Sequence, residues 1–208
     1  MIFHRVLNHI FSSYTNIAVL RALSFSKTGL TGREIARNCG ISPKSALIAL
    51  TNLENLHIVK RVIGGRDHIF TLNTGHYFVS KGITPLLNTE LNFLPDILSL
   101  IKSKLSKKTI SIILFGSVAR KEEDIDSDLD ICMIVKDKSQ KTEVEKIKSE
   151  LFTVISDKYG ATISAILFTE NEFRKRGLKN LSPINNIIKE GRLISGKPIK
   201  ILLYGPKK

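Results

Sequence analysis

The stretch that most constrains the fold is Leu114-Phe115-Gly116-Ser117-Val118-Ala119-Arg120, followed eight residues later by Asp128-Leu129-Asp130. An apolar run from Ile110 to Phe115 reads as a buried strand that stops at Gly116-Ser117. The next turn is helix-like, and a second apolar strand, Leu129 to Val135, begins with two acids one residue apart. Strand side chains alternate in direction, so Asp128 and Asp130 are expected on one face. A Gly-Ser turn that opens a helix presents backbone N–H groups to an anion. Two carboxylates beside such a turn make a place for Mg²⁺ and a nucleoside triphosphate.

Gly116-Ser117-Val118-Ala119-Arg120 and Ser127-Asp128-Leu129-Asp130 resemble the signature of minimal nucleotidyltransferases of the DNA polymerase β-like superfamily. That pattern is G-S-x-A-R-G, five residues, then S-D-x-D. The spacing is kept here, and Lys121 stands where the family has Gly. The resemblance covers roughly the second half of the chain. It implies a mixed sheet with flanking helices, Asp128 and Asp130 as catalytic and metal-holding residues, and Gly116, Ser117 and Arg120 as nucleotide-binding residues. Mg²⁺ and an NTP, ATP foremost, are the ligands it implies. The family also carries a third carboxylate on a later strand. The strand expected from Thr162 to Phe168 has no acid, and Ser164 falls where that acid would stand. The enzyme reading is therefore favoured but incomplete, and a nucleotide-sensing regulator with a weak or inactive site is its alternative.

The whole chain bounds these readings. Its 208 residues suit one domain or two small ones, and a 42% hydrophobic content is enough to bury a core. No apolar run approaches the ~20 residues of a membrane span, and the first residues lack the order of a signal peptide. Cys39 and Cys132 are too few for a disulfide framework or a zinc site. A cytoplasmic setting is the expectation. The net charge is +13. Residues 1–88 hold 10 Lys/Arg against 3 Asp/Glu, or +7, and residues 89–208 hold 22 against 16, or +6. Such a balance favours polyanionic partners.

In the first half, Phe3 to Ser24 reads as one amphipathic helix. Thr31-Gly32-Arg33-Glu34 is a capping box that opens a short helix, which Cys39-Gly40 ends. Ser42-Pro43 starts the next, as N-cap and first helical residue, running to about Leu56. Ile58 to Val62 and His68 to Leu72 then read as a hairpin around Gly64-Gly65-Arg66-Asp67. Over residues 15–75 this pattern resembles the winged helix-turn-helix of bacterial and archaeal transcription regulators. The resemblance implies a DNA partner. Lys44, Ser45, Thr51 and Asn52 of the second helix would face the major groove, with Lys60, Arg61 and Arg66 on the wing. Leu47 and Ile48 share that helix face; they suit thymine methyls or another chain. His57 reads as a helix-end cap.

Lys81-Gly82 and Thr84-Pro85 punctuate the joint, and Pro95-Asp96 reads as the start of a helix to Leu105. Ser182-Pro183 to Ile194 reads as a late helix, followed by a short apolar end. The expected organisation is a winged helix-turn-helix over 1–84, a linker helix over 85–106 and a nucleotidyltransferase-like domain over 107–208, of α+β or α/β class. A protein acceptor, a toxin partner of an antitoxin-like chain, and a homodimer are the partners this leaves open.

Overall fold

A computed structural model describes residues 2–64 and 67–205. The chain divides into two compact units, one through Asn92 and one from Phe93. Together they are a mixed α+β structure. No helix among the described residues is long and apolar enough to cross a membrane.

The first unit begins with α1 (Val6–Ile10) and α2 (Tyr14–Ser24), not with one continuous helix. The physical reason is Asn16. Its buried Nδ2 donates to the carbonyls of His9 and Ile10 at 3.3 and 3.1 Å, tying down the end of α1. The Ser13 hydroxyl meanwhile accepts from the Asn16 N–H and caps α2. The two-residue strand β1 (Leu30–Thr31) and α3 (Gly32–Cys39) follow. The capping box forms: Thr31 Oγ1 accepts from the Glu34 N–H, and Glu34 accepts from the Thr31 N–H at 2.8 Å. Gly40, at φ +62°, ends α3 in the left-handed region. α4 (Pro43–Asn55) is capped by Ser42. His57, just past its end, is held at φ +58°.

β2 (Val59–Gly64) and β3 (Asp67–Leu72) are antiparallel, and β1 adds to β3, giving the order β1-β3-β2. Leu20, Leu23, Ile35, Leu50, Leu53, Ile58 and Phe70 pack as one core between helices and sheet. A π-helical turn (Val79–Ile83) leads into α5 (Thr84–Leu105). This helix starts eleven residues before the Pro95 that was expected to open it, and Pro95 lies inside it. Thr84-Pro85 is the true start, where a proline without an N–H does no harm.

In the second unit, β4 (Ser111–Phe115), the short α6 (Gly116–Arg120), β5 (Leu129–Val135), α7 (Lys138–Tyr159) and β6 (Ile163–Thr169) are followed by α8 (Glu170–Leu178), α9 (Ile184–Glu190), β7 (Arg192–Gly196) and α10 (Ile199–Tyr204). The sheet order is β6-β5-β4-β7; β5 and β6 are parallel, and the other pairs antiparallel. Central β4 and β5 are apolar on both faces because helices cover both. Ile112, Leu114, Ile131 and Met133 meet Ile97 and Ile101 of α5 and Leu151 and Ile155 of α7. Ile113, Cys132 and Ile134 meet Phe173, Ile187 and Leu202 from α8, α9 and α10. Burial pushes the Cys132 thiol up to about 12.

The late helix expected through Ile194 stops at Glu190, and the residues beyond it form the sheet's edge strand β7. Gly191 dictates this change. A side chain there would meet Ile187 O at 2.3 Å and Ile113 Cγ2 at 2.8 Å, so the chain turns tightly against β4.

Candidate active site

The site forms where β4 ends and β5 begins. Antiparallel pairing sets Phe115 opposite Asp130, so Gly116, the next residue, arrives beside the Asp130 carboxylate. Gly116 has φ +75°, and a Cβ built on it would lie 2.1 Å from Asp130 Oδ2. Only glycine satisfies both demands. The first turn of α6 therefore lies directly against the acid, with Ser117 part-buried on it. Lys121, at φ +64°, ends α6 in a left-handed conformation, which explains why glycine suits this position.

The loop from Lys121 to Ser127 is closed on itself. The Ser127 hydroxyl donates to Asp124 Oδ1 at 2.8 Å and accepts from the Asp124 N–H at 2.9 Å. Asp128 is exposed at the loop's end, one residue before β5, and Asp130 is half-buried. Burial, first, and then the charges of Asp128 and Glu190 raise the Asp130 pKa above the ordinary carboxylate value. The Ser164 hydroxyl and Arg120 act in the opposite direction. Ser164 stands in register beside Asp130 on the parallel neighbour β6, so a hydroxyl occupies the place where a third strand acid was sought.

A third carboxylate does reach the site, from the last residue of a helix that is expected to run four residues further. Glu190, the last residue of α9, accepts from the Gly116 N–H at 3.2 Å and from Arg120 Nη1 at 2.8 Å. Arg120 Nε also donates to Glu122 at 2.7 Å. Thus Arg120, expected on phosphates, is held between two carboxylates of its own chain. Glu190 was missed because the expected helix ran through it. The signal that could have found it is Gly191, a helix-stop residue directly after an acid.

Oxygen donors of this kind suit a hard divalent cation. Asp128 and Asp130 gather negative charge on one side of the Gly116 cradle, which is the donor set Mg²⁺ uses together with substrate phosphates and water. Among the described residues, no three His, Cys, Asp or Glu side chains stand close enough to hold a metal ion by themselves. A two-carboxylate site completed by a triphosphate fits that arrangement.

In the first unit, α4 turns Ala46, Ala49, Leu50 and Leu53 inward. Lys44, Thr51 and Asn52 are exposed, and Ser45, partly covered, bonds through its hydroxyl to Ser42. Leu47 and Ile48 lie on the exposed side too, at 59% and 54%. Lys60 is exposed on β2, and Arg61 pairs with Glu54 of α4 at 3.0 Å. Arg66 lies outside the described residues.

Three comparisons complete the description. The Nucleotidyltransferase domain family matches residues 95–194. A Methanocaldococcus jannaschii protein named "Putative protein adenylyltransferase" is 35% identical over 99 residues, which are 48% of this chain and 91% of that protein. Among solved structures, a toxin-antitoxin with AMP-PNP is matched over 52% of this chain and 78% of its own, at TM-score 0.35 and 16% identity. ZitR, a zinc-responsive MarR family member of Lactococcus lactis, is matched over 71% of this chain and 76% of its own, at TM-score 0.32 and 16% identity. Likenesses as slight as these two carry no argument about either unit.

Proposed function

This chain belongs to the nucleotidyltransferase family, and from that premise we propose that its second unit transfers AMP from ATP to a hydroxyl group of a protein. The single observation that carries the chemistry is the placement of Asp130 against the Gly116 turn, with Asp128 beside it. The relative named as a protein adenylyltransferase supports ATP and a protein acceptor.

In this reading the acceptor hydroxyl oxygen attacks the α-phosphorus, its proton passes to solvent, and pyrophosphate leaves with the electron pair of the broken P–O bond. Such transfers rest on positioning and on charge stabilisation. The Gly116 and Ser117 N–H groups and the Ser117 hydroxyl bind phosphate oxygens. Gly116 keeps the backbone close enough for that contact, and Arg120 brings its guanidinium to the same phosphate oxygens. Asp128 and Asp130 would hold Mg²⁺, which supplies neutralisation of triphosphate charge and a more acidic acceptor hydroxyl when bound. Ser164 orients Asp130 and, being a hydroxyl, cannot serve as a base at neutral pH.

The test uses ATP labelled at the α-phosphate, Mg²⁺ and a protein extract. Label should become protein-bound with wild-type chain and be lost with Asp128→Ala/Asp130→Ala. ATP labelled at the γ-phosphate should leave protein unlabelled and release labelled pyrophosphate. Protein labelling from γ-labelled ATP, or equal labelling by the double variant, sinks the reading.

A second reading concerns the first unit, which we propose is a winged helix that holds DNA. Its support is the exposed face of α4, with Lys44, Thr51 and Asn52, together with Lys60 on the β2–β3 hairpin and the basic balance of the first 88 residues. The logarithm of DNA affinity should then fall linearly with the logarithm of salt, with a slope of ~0.9 for each phosphate neutralised. A salt-insensitive or absent interaction refutes it.

A further inference from the structure

Glu190 holds the two donors that the proposed reaction reserves for the triphosphate. Its carboxylate takes the Gly116 N–H with one oxygen and Arg120 Nη1 with the other. The side chain is only 19% exposed. The chain behind it is tightly packed, since a side chain on Gly191 would meet Ile187 O at 2.3 Å and Ile113 Cγ2 at 2.8 Å. Glu190 sits at the C-terminal end of α9, where the helix dipole opposes an anion. Asp130 lies across the same turn, close enough for their charges to interact.

We infer that Glu190 is a resident substitute for a phosphate group, closing the Gly116–Arg120 turn while no nucleotide is bound and yielding both donors when a triphosphate arrives. This rests on the nucleotidyltransferase reading above. A carboxylate and a phosphate oxygen pair present the same geometry to an N–H and a guanidinium. A triphosphate brings more charge and more oxygens, and its cation offsets the repulsion between Glu190 and Asp130. The exchange keeps the donors satisfied in both states, so the turn is formed before substrate arrives, and nucleotide affinity is held down by the competitor.

The experiment is titration calorimetry on the full chain with α,β-methylene-ATP, which cannot release pyrophosphate, in the presence of Mg²⁺. Glu190→Ala should bind about tenfold tighter than wild type. Glu190→Gln, which keeps an acceptor for one donor and loses the charge, should fall between the two; it also serves if the alanine variant does not fold. Glu122→Ala removes a charge from the other side of Arg120 without touching Gly116, and should change affinity less than twofold. Unchanged or weaker binding by both Glu190 variants overturns the inference alone, and so does a gain in Glu122→Ala equal to that in Glu190→Ala. Absence of binding by wild type and all variants overturns it together with the nucleotidyltransferase reading.

Discussion

Replacing Gly116 with alanine separates two costs that usually arrive together. The first is backbone strain. A non-glycine residue at φ +75° costs ~1–2 kcal/mol. In a unit of this size each kcal/mol lowers the melting temperature by ~4 °C. The second cost is local. The new Cβ stands 2.1 Å from Asp130 Oδ2, against the 3.4 Å at which ordinary contact begins, so the carboxylate must retreat by more than an ångström. Misplacing a reacting group by that much costs ~100-fold in rate. Gly160, the C-cap of α7, provides the control. It has φ +65°, and a Cβ there would meet nothing within 4 Å. Gly160→Ala should therefore lose the same few degrees and keep its activity, whereas Gly116→Ala should lose both. The assays are differential scanning calorimetry and the initial rate of AMP transfer from α-labelled ATP. If Gly116→Ala melts where Gly160→Ala does and transfers within threefold of it, the tight fit between turn and acid is not what positions Asp130.

Three further outcomes follow from the same geometry. Lys121 carries the strain that Gly116 avoids, so Lys121→Gly should stabilise the fold, by up to ~1 kcal/mol once the added freedom of the unfolded chain is subtracted, and raise the melting temperature; a lower melting temperature refutes this. Asp130, raised chiefly by burial, adds stability that is full below its ordinary value of 3.8 and lost as pH rises through its folded value. In EDTA, Asp130→Asn should thus melt higher than wild type at neutral pH, with the gap closing in acid, and a gap that widens in acid would be decisive against it. Glu172 has the opposite sign. The Thr169 N–H, first among its partners, holds it below the ordinary 4.5, so its contribution is present above that value and lost as pH falls through the lower folded one. Glu172→Gln should melt lower than wild type at pH 7 and no differently in strong acid, as followed by circular dichroism.

Much of the site was legible because its chemistry is local. Gly116-Ser117 and Asp128-x-Asp130 lie within fifteen residues, and the period of two in β4 and β5 fixes which side chains meet. Ser164 was also placed correctly, since parallel β6 sets it in register beside Asp130. The same holds for the Thr31–Glu34 and Ser42–Pro43 helix starts, whose hydrogen bonds span three residues. What failed depends on distant partners. The break between α1 and α2 requires the buried Asn16 amide to find the carbonyls of α1. The edge strand β7 is a short, half-buried segment whose apolar residues read equally well as helix until Gly191 meets Ile113 across the sheet. Glu190 was lost with it. Its role comes from bonds to residues 74 and 70 positions earlier, which no spacing rule connects.

The burial of Cys132 has a use beyond packing. Each unit carries one free thiol: Cys39 in the first, partly covered, and Cys132 in the central strand of the second. With its pKa near 12, Cys132 has almost no thiolate at neutral pH and is shielded from any reagent while β5 stays closed. Its alkylation rate is therefore a clock for the opening of the second unit's core, and that of Cys39 is a separate clock for the first unit. Mass spectrometry of the unaltered chain could read both at once. It would show whether added nucleotide slows one clock, both or neither.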